Sequence, residues 1–156
     1  MEAFLAGLEG TALAQALRVS RWGYAAVNAA HIFGIALLVG SVVPLNLRLL
    51  GLWRGVPLPS LARVLAPVAG AGLVLAVAMG ALLFAVRARE YASLGVLQLK
   101  LVLIAAALLS ALLAVRAYGP TLAAGGGSRL KAHATVSLAC WLGALVCGRL
   151  IAFAGD

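Results

Sequence analysis

The chain is predicted to be an all-α integral membrane protein, a four-transmembrane-helix bundle with an N-terminal interfacial amphipathic helix. Three observations predict this. Of 156 residues, 65% are hydrophobic and 10% charged, with a mean hydropathy of +1.12, against roughly 25% charged in a soluble domain. Four apolar runs are each long enough to meet the ~20 residues that a helix needs to cross the hydrocarbon core. No segment alternates with the period of a strand, and a barrel would need many ~10-residue alternating segments. The length suffices for one membrane domain, residues 1–156, and leaves no room for a separate soluble one.

Residues 1–20 place Phe4, Leu5, Leu8, Ala12, Leu13, Ala16 and Leu17 at helical spacing against Glu2, Glu9, Gln15 and Arg18. That pattern predicts a helix lying in the interface, broken in two at Gly10. The acidic start and the missing basic region argue against a signal peptide. The first span is predicted at about 22–46, ending at Pro44 and Asn46, and a linker with Trp53, Arg54, Pro57 and Pro59 leads to Ser60 as N-cap. The second span is predicted at 63–86, where Gly72, Ala76 and Gly80 form a small-residue seam that lets a neighbouring helix approach closely. A short connection over Tyr91 to Gly95 precedes the third span, 97–117. A flexible loop from Thr121 to Ser128, built on AAGGGS, precedes the fourth, 131–154.

The twelve Lys and Arg against four acids, a net charge of +8, cluster at the ends of apolar runs, which fits membrane topology and argues against nucleic acid. Arg48, Arg54, Arg63, Arg116, Arg129 and Lys131 fall on the side of the first and third connections. Arg18, Arg21, Arg87 and Arg89 flank the other side, together with Glu2, Glu9, Glu90 and Asp156. The positive-inside rule therefore places both termini outside the cytoplasm. A cytoplasmic residue 3, or a residue 125 reachable from outside, would contradict that orientation. The bilayer is the certain partner, with a membrane-complex subunit or a second copy as candidates.

Polar groups inside a span usually face a protein interior or a wet cavity. Helical rise places His31 (~5 Å), Cys147 (~5 Å), Met79 (~6 Å), Arg149 (~8 Å), Asn28 (~9 Å) and Lys100 (~10 Å) in the non-cytoplasmic leaflet. Asn28 and His31, three apart, can share a face. His31, Asn28, Lys100 and Arg149 are accordingly the candidate binding residues, with His31, Met79 and Cys147 as weak metal candidates. Against this stand plainer roles: polar glue for Asn28 and His31, snorkelling for Lys100 and Arg149, packing for Met79, Trp141 and the free cysteines. Haem b and quinone are the cofactors to test. His133 lies ~20 Å in depth from His31, which disfavours a bis-histidine haem, and a His133→Ala change is expected to be nearly silent. No carboxylate lies in a span for proton-driven transport, and Ser41, Ser110 and Ser137 have no evident neighbouring base. Catalysis is less expected than binding. Three readings stay open: an accessory component that binds a small ligand or redox cofactor (haem, quinone or an anion) in a polar pocket on the non-cytoplasmic side, a non-catalytic scaffold or assembly subunit of a membrane complex, and a copper-related permease.

In HIFGIALLVGSVVPLNLRLLG, GALLFAVRAREYA, QLKLVLIAA and CGRLIAF the chain resembles a bacterial family of small four-span inner-membrane proteins of unknown function. The positions that carry the resemblance are His31, Gly34, Gly40, Arg48, Gly51, Tyr91, Lys100, Trp141, Gly148 and Arg149. More loosely it is similar to cytochrome b561-type bundles, whose paired histidines it lacks, and to copper-resistance permeases. The resemblance implies the architecture and a bacterial inner membrane.

Overall fold

The computed structural model describes residues 1–122 and 127–154, with residues 152 and 154 described by their backbone alone. Residue 125, most of the AAGGGS loop and Asp156 lie outside the described residues. Seven helices are described: α1 (Glu2–Glu9), α2 (Ala12–Val19), α3 (Arg21–Leu50), α4 (Leu58–Val86), α5 (Ala88–Ser93), α6 (Gly95–Tyr118) and α7 (Ser128–Ala154). Helices α3, α4, α6 and α7 are each long and apolar enough to cross a membrane. Side chains such as Val74, Val77, Leu101, Val102 and Val146 stand exposed along them, as lipid-facing positions do. The chain is a multi-pass membrane protein.

The first span is longer than expected. It continues through Pro44 to Leu50, because lost backbone hydrogen bonds at an intramembrane proline can be made good by neighbouring helices. It stops at Gly51, whose φ of 113° is a left-handed conformation that a side chain would resist. The Leu52 N–H reaches the Leu47 carbonyl at 3.0 Å and the Gly51 N–H reaches Arg48 at 3.1 Å, the paired bonds of a Schellman cap. Helix α4 likewise starts before Ser60: Pro59 sits in its first turn, where no backbone N–H is required. The expected connection around Tyr91 contains the short helix α5.

The bundle consists of two tight hairpins, α3–α4 and α6–α7, joined by contact between α3 and α7. At the α3–α4 crossing a Cβ on Gly34 would lie 2.6 Å from the Ala76 backbone nitrogen, and one on Gly72 2.6 Å from that of Leu38. The small-residue seam thus works through Gly72 and Ala76, with Gly34 opposite. Leu38, Ala107 and Trp141 form the buried centre where α3, α6 and α7 meet. Among the described residues no Cα of α4 comes within 8 Å of one in α6, so the bundle is open between these two helices.

At Gly10 the N-terminal segment divides into α1 and α2. Thr11 caps α2, accepting from the Ala14 N–H at 3.3 Å. Arg18 donates to the Val86 carbonyl at the end of α4, where a cation also complements the helix dipole. Glu9 accepts from the Arg89 backbone N–H at 2.9 Å and from Nε and Nη2 of Arg89 at 3.0 Å, tying α1 to α5. The backbone hydrogen bond, followed by those from the guanidinium, holds the Glu9 carboxyl below its ordinary value of 4.5. A carboxyl lowered in the folded state contributes stability above that ordinary value, and loses it as pH falls through the lowered one. Acidification well below the ordinary Glu value is expected to loosen α1 from α5 progressively, and Glu9→Gln should do so at neutral pH. Hydrogen exchange of the α1 amides measures both. Unchanged protection in Glu9→Gln would show that other contacts hold the helix.

Candidate functional site

The residues singled out in one leaflet separate into two groups. His31 on α3 is half-buried against α4: its Nδ1 lies 2.7 Å from the Ala76 carbonyl, and Gly80 leaves room for the ring. A carbonyl can only accept, so Nδ1 carries the proton and donates, which leaves Nε2 as an acceptor. Lys100 on α6 is partly buried, with Nζ close to Gly148 of α7, where a Cβ would meet it at 3.3 Å. Asn28 and Arg149 are not brought to them. Asn28 is exposed and makes no hydrogen bond to His31 among the described residues. Arg149 is also exposed, its guanidinium 4.7 Å from the centre of the Phe153 ring. Met79 is partly buried on α4. Among the described residues no three His, Cys, Asp or Glu side chains gather as a metal site.

Buried polar side chains of the spans gather elsewhere, toward the end of the bundle that carries residues 51–57. A cavity of about 220 Å³ lies there between α3, α4, α6 and α7. Its walls are largely aliphatic, with Leu38 and Val42 from α3, Ala69 and Leu73 from α4, Leu108 and Ala111 from α6, and Trp141 from α7. Into this surface are set Asn46, Ser110, His133 and Ser137. Asn46 Nδ2 donates to Ser137 Oγ at 3.2 Å, both residues buried, so α3 and α7 are tied at the cavity wall. Across the α6–α7 hairpin, Ser110 donates to the His133 carbonyl at 3.1 Å and its Oγ lies 3.3 Å from His133 Nδ1.

The serine and histidine contact went unseen in the sequence, where the two are 23 positions apart on different helices. With the hydroxyl donating to the His133 carbonyl, the contact does not activate the serine. The single hydroxyl proton of Ser110 goes to a carbonyl, so Oγ can only accept from Nδ1–H, and activation requires the reverse transfer. The contact does fix the ring and leaves Nε2 as a hydrogen-bonding atom. His133, read from sequence as a silent position, is therefore part of a cavity wall.

The two histidines serve different regions. His31 is fifteen residues from Asn46 along α3, ~22 Å by helical rise, and His133 is one turn from Asn46's partner Ser137. That separation does not bring both imidazoles to one iron. Polar atoms in an apolar chamber can instead orient a small ligand: Asn46 retains a second amide hydrogen and Ser137 a hydroxyl proton, both suited to an acceptor such as a carbonyl. Compared with protein families, curated proteins and solved structures, the chain matches none of them.

Proposed function

We propose that the protein is a non-catalytic binding component of the membrane that receives the head of a small amphiphile in the cavity between α3, α4, α6 and α7. A single-ring quinone with an apolar tail suits it best. The observation that carries this reading is the convergence of Asn46, Ser110 and Ser137, three of the buried polar side chains, together with His133 on one apolar-walled space. A volume of about 220 Å³ is below the ~300–1,000 Å³ of sites that enclose drug-sized ligands. One ring fits, and a tail would leave through the opening between α4 and α6. Mass spectrometry of the lipid extract from gently purified protein tests this. A quinone enriched over its share of the membrane lipids is expected, and an extract that mirrors the bulk membrane would contradict it.

A second reading is favoured by one observation, the partly buried Lys100 in spans that contain no carboxylate. A partly buried cation is costly unless an anion or water compensates it, so Lys100 would hold a small anion in the opposite leaflet. Arg149 and Asn28 could join only by turning inward. Loss of anion binding in Lys100→Met, with quinone binding intact, would separate this site from the cavity.

Charge supports a bacterial inner-membrane orientation with residues 51–57 in the cytoplasm and both termini outside it. Labelling of a cysteine at residue 3 from the cytoplasmic side alone would reverse that orientation.

A further inference from the structure

We propose that a basic recess at the end of the bundle that carries residues 51–57 binds the phosphate of an anionic phospholipid. The recess, about 470 Å³, is lined by Arg48, Arg54 and Lys131, with Leu49, Leu58 and Leu130 beneath them. Among the described residues no acid lies at this end, since Glu2, Glu9 and Glu90 belong to α1 and α5 at the other. The cations are placed by the backbone. Arg48 donates from Nε to the Val56 carbonyl at 2.8 Å and from Nη2 to that of Arg54 at 3.2 Å. Arg54 donates from Nε to the Gly51 carbonyl at 3.2 Å. These bonds fold residues 51–57 back over the end of α3. They leave both Nη groups of Arg54, Nη1 of Arg48 and the Lys131 ammonium without a hydrogen-bond partner among the described residues.

Three unneutralised cations on one recess call for an anion, and the positive dipole ends of α4 and α7 there offset the negative carboxyl-terminal end of α3. A guanidinium with both terminal nitrogens available matches phosphate oxygens in a forked geometry. The site lies at the ends of the spans, where phospholipid headgroups are the resident anions. Beneath the cations, Leu49, Leu58 and Leu130 belong to an apolar cluster with Ala114 and Leu122, against which the first carbons of an acyl chain can rest. Lipid is therefore the source of phosphate that the position favours. The proposal does not depend on the quinone reading, because the basic side chains do not line the inner cavity.

Native mass spectrometry of the full chain, titrated with phosphatidylglycerol or phosphatidylcholine, tests it. Arg54→Gln/Lys131→Gln should weaken phosphatidylglycerol binding by about thirtyfold, from the usual contribution of each basic residue near an anionic surface. Phosphatidylcholine binding should not change. Arg63→Gln/Arg129→Gln removes two cations from the same end but outside the recess, and should leave phosphatidylglycerol binding within about threefold. Equal losses in the two double variants would mean diffuse charge attraction and overturn the site. Displacement of the lipid by millimolar inorganic phosphate would assign the recess to a free anion and overturn the lipid. Arg48 makes two of the three bonds that hold the loop and stays unaltered, the single Arg54 bond being the one given up, and helical content by circular dichroism confirms that each variant is folded.

Discussion

Gly34→Ala is expected to cost about 3 kcal/mol, the upper end of what one inserted carbon does in a packed interior. The added Cβ would lie 2.6 Å from the Ala76 nitrogen, 2.9 Å from the Gly72 carbonyl oxygen and 3.1 Å from the Ala76 Cα. All three are backbone atoms, so no rotamer change relieves the contact and the two helices must move apart. Between membrane helices association rests on close packing, since lipid is as apolar as the side chains it replaces. Separation therefore removes the main attraction that holds α3 to α4. Gly40→Ala on α3 and Gly70→Ala on α4 supply the controls: nothing lies within 4 Å of either added carbon, and alanine has the higher helix propensity. Thermal unfolding in one detergent should place Gly34→Ala well below wild type and the two controls at or above it. Equal behaviour of all three would show that the crossing is looser than described.

Ala111→Phe is expected to weaken quinone binding by more than tenfold, at least ~1.4 kcal/mol. Ala111 lines the cavity from α6 and is exposed toward the opening to α4. A benzyl group there can occupy the space proposed for the ligand's ring without displacing a buried side chain. The bundle should stay folded, because no core residue is altered. Ala105→Phe on the same helix adds the same ring at an exposed position that does not line the cavity. Its binding should match wild type. A loss shared by both variants would point to a general disturbance of α6.

The spans were legible because their evidence is compositional: twenty apolar residues without a carboxylate have few other stable states. Helix ends were less so. Pro44 and Ser60 carry strong local signals, yet α3 runs through the first and α4 begins before the second, because lipid penalises an unpaired backbone more than a proline disturbs the helix. The small-residue seam was legible in Gly72 and Ala76, whereas its partner Gly34 was not, since nothing in sequence gives the register between two spans.

The site was hardest to read. Depth follows from helical rise, but direction around the axis does not when every face of a span is apolar. Asn28 and His31 share a broad face, yet only His31 meets α4. Gly148 faces Lys100, so its neighbour Arg149, about 100° further round, points away. Ranking residues by charge also drew attention to the cations. The polar atoms that line the cavity belong to an amide, two hydroxyls and His133, whose positions on three helices converge only when the bundle closes.

Trp141 is buried on the cavity wall, whereas Trp22 and Trp53 are exposed. With those two replaced by Phe, the fluorescence of Trp141 alone reports on the chamber at the centre of this account. Titration with a short-tailed benzoquinone should give saturable quenching of Trp141, with the curve shifted more than tenfold by Ala111→Phe and unchanged by Ala105→Phe. Quenching that rises linearly with quinone, to the same extent in all three proteins, would contradict a built binding site.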